Sequence, residues 1–212
     1  MKQKVSNQRS YNLIDSSDPV LRTPTRRWRF EDGNRLELAR LYSKLESAMT
    51  EFKGVGIAAT QLGVGLAIAL MPINGKLTMV INPQVHKKYG SRIAIEGCLS
   101  IPGHHFYVVR PTELNMTYQD VDGNYCEYSS NDADEVGIIS HELDHLDGIV
   151  LDDYCIHHNC GCLYVAHRKN MSLEIINSLA ETKRRVSIGR ELERLRGGAG
   201  EAMRRYNHNR EG

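Results

Sequence analysis

Apolar positions change their spacing several times along the chain, and each change marks an element. Across residues 34–52, Leu38, Leu41, Leu45 and Met49 recur at helical spacing, which predicts an amphipathic helix. Two short apolar runs follow, 66–71 and 77–81, joined across Asn74-Gly75. That dipeptide suits the positive φ angles of a tight hairpin, so the runs read as paired strands. Asn82-Pro83 reads as the end of the second. A further extended stretch, 93–101, carries Glu96-Gly97-Cys98-Leu99-Ser100. Within 112–120, Leu114, Met116 and Tyr118 alternate with polar residues. With 124–128 across Asp122-Gly123, they predict a second hairpin with one buried face. Val136, Ile138, Ile139, Leu143 and Leu146 then return to helical spacing, after Asn131-Asp132, which can cap the helix. Strands first and a long helix later indicate an α+β fold, with antiparallel sheets packed around that helix, rather than alternating βαβ units. Beyond it, 171–185 predicts a C-terminal helix with Ile175, Ile176 and Leu179 on one side.

Bulk composition adds bounds. The chain has 212 residues, 41% hydrophobic and 25% charged, which suits one globular domain with a tail. No apolar run approaches the roughly 18 residues that would span a membrane. The N-terminus lacks the long apolar core of a secretory signal. Five cysteines, odd in number and unevenly placed, fit a reducing compartment and thiol or metal chemistry better than a disulfide framework. Charge changes the picture more. From Arg168 onwards there are eleven Lys/Arg against six Asp/Glu, so a basic tail follows a mildly acidic body. The organisation expected is a flexible 1–17, a catalytic domain 18–165 and a basic helical tail 166–212.

The candidate chemistry sits on the last core helix, in Ile139-Ser140-His141-Glu142-Leu143-Asp144-His145-Leu146-Asp147-Gly148. Positions i and i+4 of a helix share a face one turn apart, so His141 and His145 can bind one metal ion. Glu142 follows the first of them and can reach a water on that ion as general base. A hydrolytic site of this kind needs a third protein ligand and an open position. Cys98, between small and apolar neighbours, is the best candidate. Gly54-Val55-Gly56-Ile57-Ala58-Ala59-Thr60-Gln61 is rich in small residues, which let the backbone approach another group closely. Its glycines lack the spacing of a dinucleotide fingerprint.

These three motifs, in this order, resemble the peptide deformylase family; Asn82-Pro83 and the hairpin at 110–123 match as well, over about 18–153. The resemblance implies hydrolysis of the N-terminal formyl group of nascent formyl-methionyl polypeptides, releasing formate. It implies Cys98, His141 and His145 as ligands of one divalent ion, with Fe(II) native and Zn(II), Ni(II) or Co(II) as substitutes. It implies Glu142 as base and then acid, and Gln61 with the Leu99 backbone N–H as oxyanion donors. Gly54, Val55, Gly56 and Gly97 would lie along the substrate, with His105 near the bound peptide. Glu96 and Arg110 would form an ion pair bracing the cysteine strand. Gly137 and Asp134, on the helix face of the two histidines, stand where relatives carry bulky apolar residues walling the methionine pocket. Ser140 replaces the usual glutamine.

The expected partner is the N-formylated nascent peptide, with a ribosome contact through the tail, in the cytoplasm, an organellar or phage-encoded origin being the alternative; neither membrane nor DNA is expected. Three other readings compete. A family member with an altered pocket at Gly137 and Asp134 would act on another N-formyl substrate. A zincin-like peptidase leaves Cys98 and Gln61 unexplained, and a metal-stabilised RNA-binding module leaves Glu142 unexplained. Cys126 reads as inert. Cys155, His157, His158, Cys160 and Cys162 crowd together but fit no familiar zinc spacing.

Overall fold

The computed structural model describes residues 11–30 and 34–158. The expectations for the 166–212 tail and for the cysteines and histidines at 155–162 lie outside the described residues and side chains. The elements in chain order are α1 (Arg35–Glu51), β1 (Ile57–Ala58), β2 (Ile68–Ile73), β3 (Lys76–Tyr89), β4 (Arg92–Cys98), β5 (Ile101–Arg110), β6 (Glu113–Gln119), β7 (Tyr125–Ser130), α2 (Ala133–Leu146) and α3 (Leu151–His158). A 3-10 turn, Ala59–Leu62, follows β1. Two compact units emerge. The first takes in the described chain up to Gly90, Leu99–Ile101 and Pro111–Val150; the second takes in Ser91–Cys98, Pro102–Arg110 and the described chain from Leu151. Among the described residues no helix is long and apolar enough to cross a membrane.

In the first unit an antiparallel sheet of order β1-β2-β3-β6-β7 carries a helix on each face. Strand β2 shows why. Its run Ile68-Ala69-Leu70-Met71-Pro72-Ile73 is apolar throughout because both faces are covered. Ala69, Met71 and Ile73 pack with Val136, Ile139, Leu143 and Leu146 of α2. Ile68 and Leu70 pack with Leu38, Leu45, Ala48 and Met49 of α1. Side chains of a strand alternate between faces, so one strand serves both helices. Strand β6 has the simpler pattern foreseen for it: Leu114, Met116 and Tyr118 are buried and their neighbours are not. The Asn74-Gly75 hairpin forms, with φ angles of 51° and 72°.

One boundary is corrected. Asn82-Pro83 does not end its strand; β3 continues to Tyr89, with a register shift between Ile81 and Gln84. Asn82 takes a φ of 51° at the irregularity, a conformation Asn tolerates. Its side chain serves as the pairing edge there, with Oδ1 accepting from the Trp28 N–H at 2.7 Å and Nδ2 donating to the Trp28 carbonyl at 2.9 Å. Pro83, with no N–H to give, fits a bulge.

Helix α2 is fastened at both ends. Asp132 caps it, its carboxylate accepting from the N–H groups of Asp134 and Glu135 at 3.0 and 3.3 Å. Glu135 accepts from the turn N–H groups of Asn74 and Gly75 at 3.0 and 2.7 Å and from the Tyr128 hydroxyl. At the far end the Leu146 carbonyl accepts from Thr25 N and Thr25 Oγ1 at 2.8 and 2.9 Å. Gly148 follows with a φ of +76°, and a Cβ there would stand 2.8 Å from the Thr23 carbonyl carbon. Both the dihedral and the close approach require glycine. The second unit contains the two-stranded sheet β4-β5 and α3.

Candidate active site

The buried stripe of α2 decides where its polar residues point. Val136, Ile139, Leu143 and Leu146 face the sheet, which sets His141 and His145 on a neighbouring stripe one turn apart. His145 is buried and His141 half-buried. Their rings meet edge to face with centroids 4.9 Å apart. Among the described residues, Cys98, His141 and His145 each offer one ligand atom, and these atoms all lie within 4.8 Å of one another. Metal–sulfur and metal–nitrogen bonds of roughly 2.3 and 2.0–2.1 Å let three such atoms share one ion after small adjustments. One thiol and two imidazoles suit Zn(II), Fe(II), Co(II) or Ni(II). The donor set therefore fits a divalent transition metal.

Glu142 is 4% exposed. A buried carboxylate is costly unless it has a task or partners. Gly56 lies against it: a Cβ on Gly56 would come within 2.5 Å of Glu142 Oε1. The other glycines of the site behave differently. A Cβ on Gly54 would meet Leu99 Cδ1 at 3.0 Å and Met49 Cγ at 3.3 Å. Gly97 is exposed, and a Cβ there would find the half-buried His105 ring at 3.6 Å. Val55 is 66% exposed.

Gln61 is 1% exposed. The 3-10 turn bends it back on its own segment, so that Oε1 accepts from the Ala58 N–H at 3.0 Å. That bond orients the amide and directs its NH2 group the other way, where the hydroxyl of Ser100 lies 3.4 Å from Nε2. Leu99, next to Ser100, is half-buried. Of the two residues expected at the methionine pocket, Gly137 is buried and Asp134 is exposed. Ser140 turns its hydroxyl onto the Val136 carbonyl at 2.7 Å, an intrahelical bond that satisfies it.

In the second unit, Arg110 and Glu96 form the expected ion pair, with Nε–Oε1 and Nη2–Oε2 distances of 2.7 and 2.8 Å. Sequence reasoning missed Tyr154, whose hydroxyl accepts from Arg110 Nη1 at 3.1 Å while its ring lies 5.2 Å from the guanidinium. No local pattern announces a contact across 44 residues. It also missed Glu135. The only hint there was an acid in the first turn of a helix, which has a ready explanation in the helix dipole. Burial first, and then the hydrogen bond to Glu135, push the Tyr128 hydroxyl well above the usual tyrosine range.

Comparison with known proteins places this geometry. A family model described as Polypeptide deformylase matches residues 10–159. A peptide deformylase of Finegoldia magna is 34% identical over 141 residues, which span 65% of this chain and 84% of that one. The crystal structure of peptide deformylase from Thermotoga maritima matches with a TM-score of 0.62 at 28% identity, over 68% of this chain and 95% of that one. A peptide deformylase from Synechococcus elongatus, solved in complex with actinonin, matches with the same TM-score, 0.62, and 28% identity, over 70% of this chain and 82% of that one. Fold and donor set together define a metallohydrolase. More particularly, the chain belongs to the polypeptide deformylase family.

Proposed function

We propose that this protein removes the N-terminal formyl group from nascent formyl-methionyl polypeptides, yielding formate and a free amine. The observation that carries the reading is the gathering of Cys98, His141 and His145 within 4.8 Å, with the buried carboxylate of Glu142 on the same helix as the two histidines. Cys98, His141 and His145 hold one divalent ion, Fe(II) in the native protein. When bound, that ion supplies Lewis-acid activation of water and of the formyl oxygen. Glu142 takes a proton from the attacking water and delivers it to the departing amine, help worth roughly 10²–10⁴-fold. Gln61 Nε2 and the Leu99 N–H donate to the formyl oxygen as negative charge builds on it. Loss of one such donor costs roughly 10²–10³ in rate. Gly54, Val55, Gly56 and Gly97 line the path of the peptide backbone, with His105 beside it. Glu96 and Arg110 hold the strand that carries Cys98.

The test is formate release from formyl-Met peptides by metal-replete protein, with a chelated control. Cleavage of internal peptide bonds without formate would favour a zincin-like peptidase. Neither activity, with RNA retained, would favour an RNA-binding module. The basic stretch from Arg168, eleven Lys/Arg against six Asp/Glu, is proposed to contact ribosomal RNA phosphates in the cytoplasm. Co-sedimentation with ribosomes should weaken with salt and on truncation after Met171. Equal sedimentation of the truncated chain would remove the tail from the proposal.

A further inference from the structure

Gly56 is buried and lies one residue before β1. Its φ is outside the left-handed region, so no left-handed backbone reserves the position for glycine. What the position lacks is room. A Cβ on Gly56 would stand 2.5 Å from Glu142 Oε1 and 3.0 Å from Glu142 Cδ and Cγ, and these are the three atoms nearest to it. Gly148 makes the contrast plain, since a Cβ there would strike the backbone of Thr23 and Arg22. At Gly148 the fold has to yield. At Gly56 a single side chain has to yield, and it is the one that carries the proton.

We propose that Gly56 is a positioning residue for Glu142. The missing side chain at position 56 sets where the Glu142 carboxylate rests, and so sets its approach to the water and the leaving amine. This rests on the reading of Glu142 as the base. Helix α2 cannot retreat to relieve the contact. Glu135 ties its start to the Asn74-Gly75 turn, and Thr25 ties its end. Glu142 is itself enclosed. An added methyl group therefore rotates the carboxylate away, and displacement by about 1 Å can cost on the order of 10²-fold in rate.

The experiment is a double-mutant cycle on the metal-replete protein, with Gly56→Ala, Glu142→Asp and the pair, read as kcat and KM for a formyl-Met peptide. Metal content and thermal midpoint are measured on each. Gly56→Ala should lower kcat by about 10²-fold, leave KM within about threefold, keep its metal and move the midpoint by only a few degrees. In the Glu142→Asp background, where the carboxylate is one methylene shorter, the same change should cost less than about tenfold. Equal cost in both backgrounds would overturn the proposal. So would a raised KM with unchanged kcat, which would make Gly56 a substrate contact only. A collapse of the thermal midpoint or loss of metal would also overturn it, because the fold and not the carboxylate would have yielded. Failure of the underlying reading looks different: Glu142→Gln would then turn over normally.

Discussion

Arg110 meets Glu96 through two parallel N–H···O bonds of 2.7 and 2.8 Å, and its own side chain is 2% exposed. The fork of a guanidinium matches a carboxylate in a way an ammonium cannot. Tyr154 takes a third donor at 3.1 Å. The pair joins β5 to β4 two residues before Cys98. Arg110→Ala would leave the Glu96 carboxylate, 13% exposed, without its partner. Breaking such a buried pair costs roughly 3–5 kcal/mol. Arg110→Lys should cost less but not be silent. Urea denaturation measures both, and metal content should fall with stability. Wild-type stability in Arg110→Ala would show that the strand needs no brace.

Glu142→Gln and Cys98→Ala should fail in opposite ways. Glutamine keeps the shape of Glu142 but cannot take a proton, so the variant should hold its metal and lose nearly all turnover, at least the roughly 10²–10⁴-fold that acid–base help supplies. Cys98→Ala removes one of the three proposed ligand atoms and should lose the metal itself. Metal analysis of anaerobically purified protein beside the formate assay separates the two. Near-normal turnover in Glu142→Gln would sink the mechanism.

Gly137 is buried and Asp134 exposed on the helix that carries both histidines. The expected outcome is retained formyl-Met activity with relaxed selectivity, because a methylene-scale contact changes discrimination by only roughly 1–3 kcal/mol. Measurements of kcat/KM across formyl-Met, formyl-Leu, formyl-Phe and formyl-Lys peptides test this in the wild type. In Gly137→Ile, selectivity should sharpen. A steep methionine preference in the wild type, unchanged by that substitution, would remove Gly137 from the pocket.

Tyr128 predicts an alkaline limb of stability. Burial, followed by the hydrogen bond to Glu135, raises its hydroxyl above the ordinary 10.0. Above that pH the unfolded chain releases a proton that the folded state keeps, so this contribution is full below about pH 10 and is lost as pH rises further. Tyr128→Phe should cost roughly 1.5–3 kcal/mol at neutral pH, the scale for a hydrogen bond to a charged group. It should also flatten the decline above about pH 10. Burial raises Tyr118 as well, so a residual slope should remain. Urea midpoints at stepped pH values decide it. An undiminished slope in the variant would place the titration elsewhere.

Features that depend on neighbours along the chain were legible in the amino acids alone. The spacing of His141 and His145 puts them one turn apart on any helix. The alternation of Leu114, Met116 and Tyr118 buries one face of any sheet strand. Asn74-Gly75 turns a hairpin, and Asp132 caps a helix, through bonds that span two or three residues. Short range also misled: Asn82-Pro83 reads as a strand end, and only the Trp28 backbone, 54 residues away, shows how Asn82 carries the strand through. Everything set by distant segments meeting came only with the folded chain. It brought Cys98 within reach of the two histidines, laid Tyr154 on Arg110 and tied Glu135 to the hairpin turn. It also gave Gly56 its meaning. A glycine in a small-residue stretch can serve a turn, a substrate or an open space, and these differ only in what stands opposite. That neighbour is Glu142, brought there because β1, paired with β2, puts Ala58 into one core with Val136, Ile139 and Leu143 of α2.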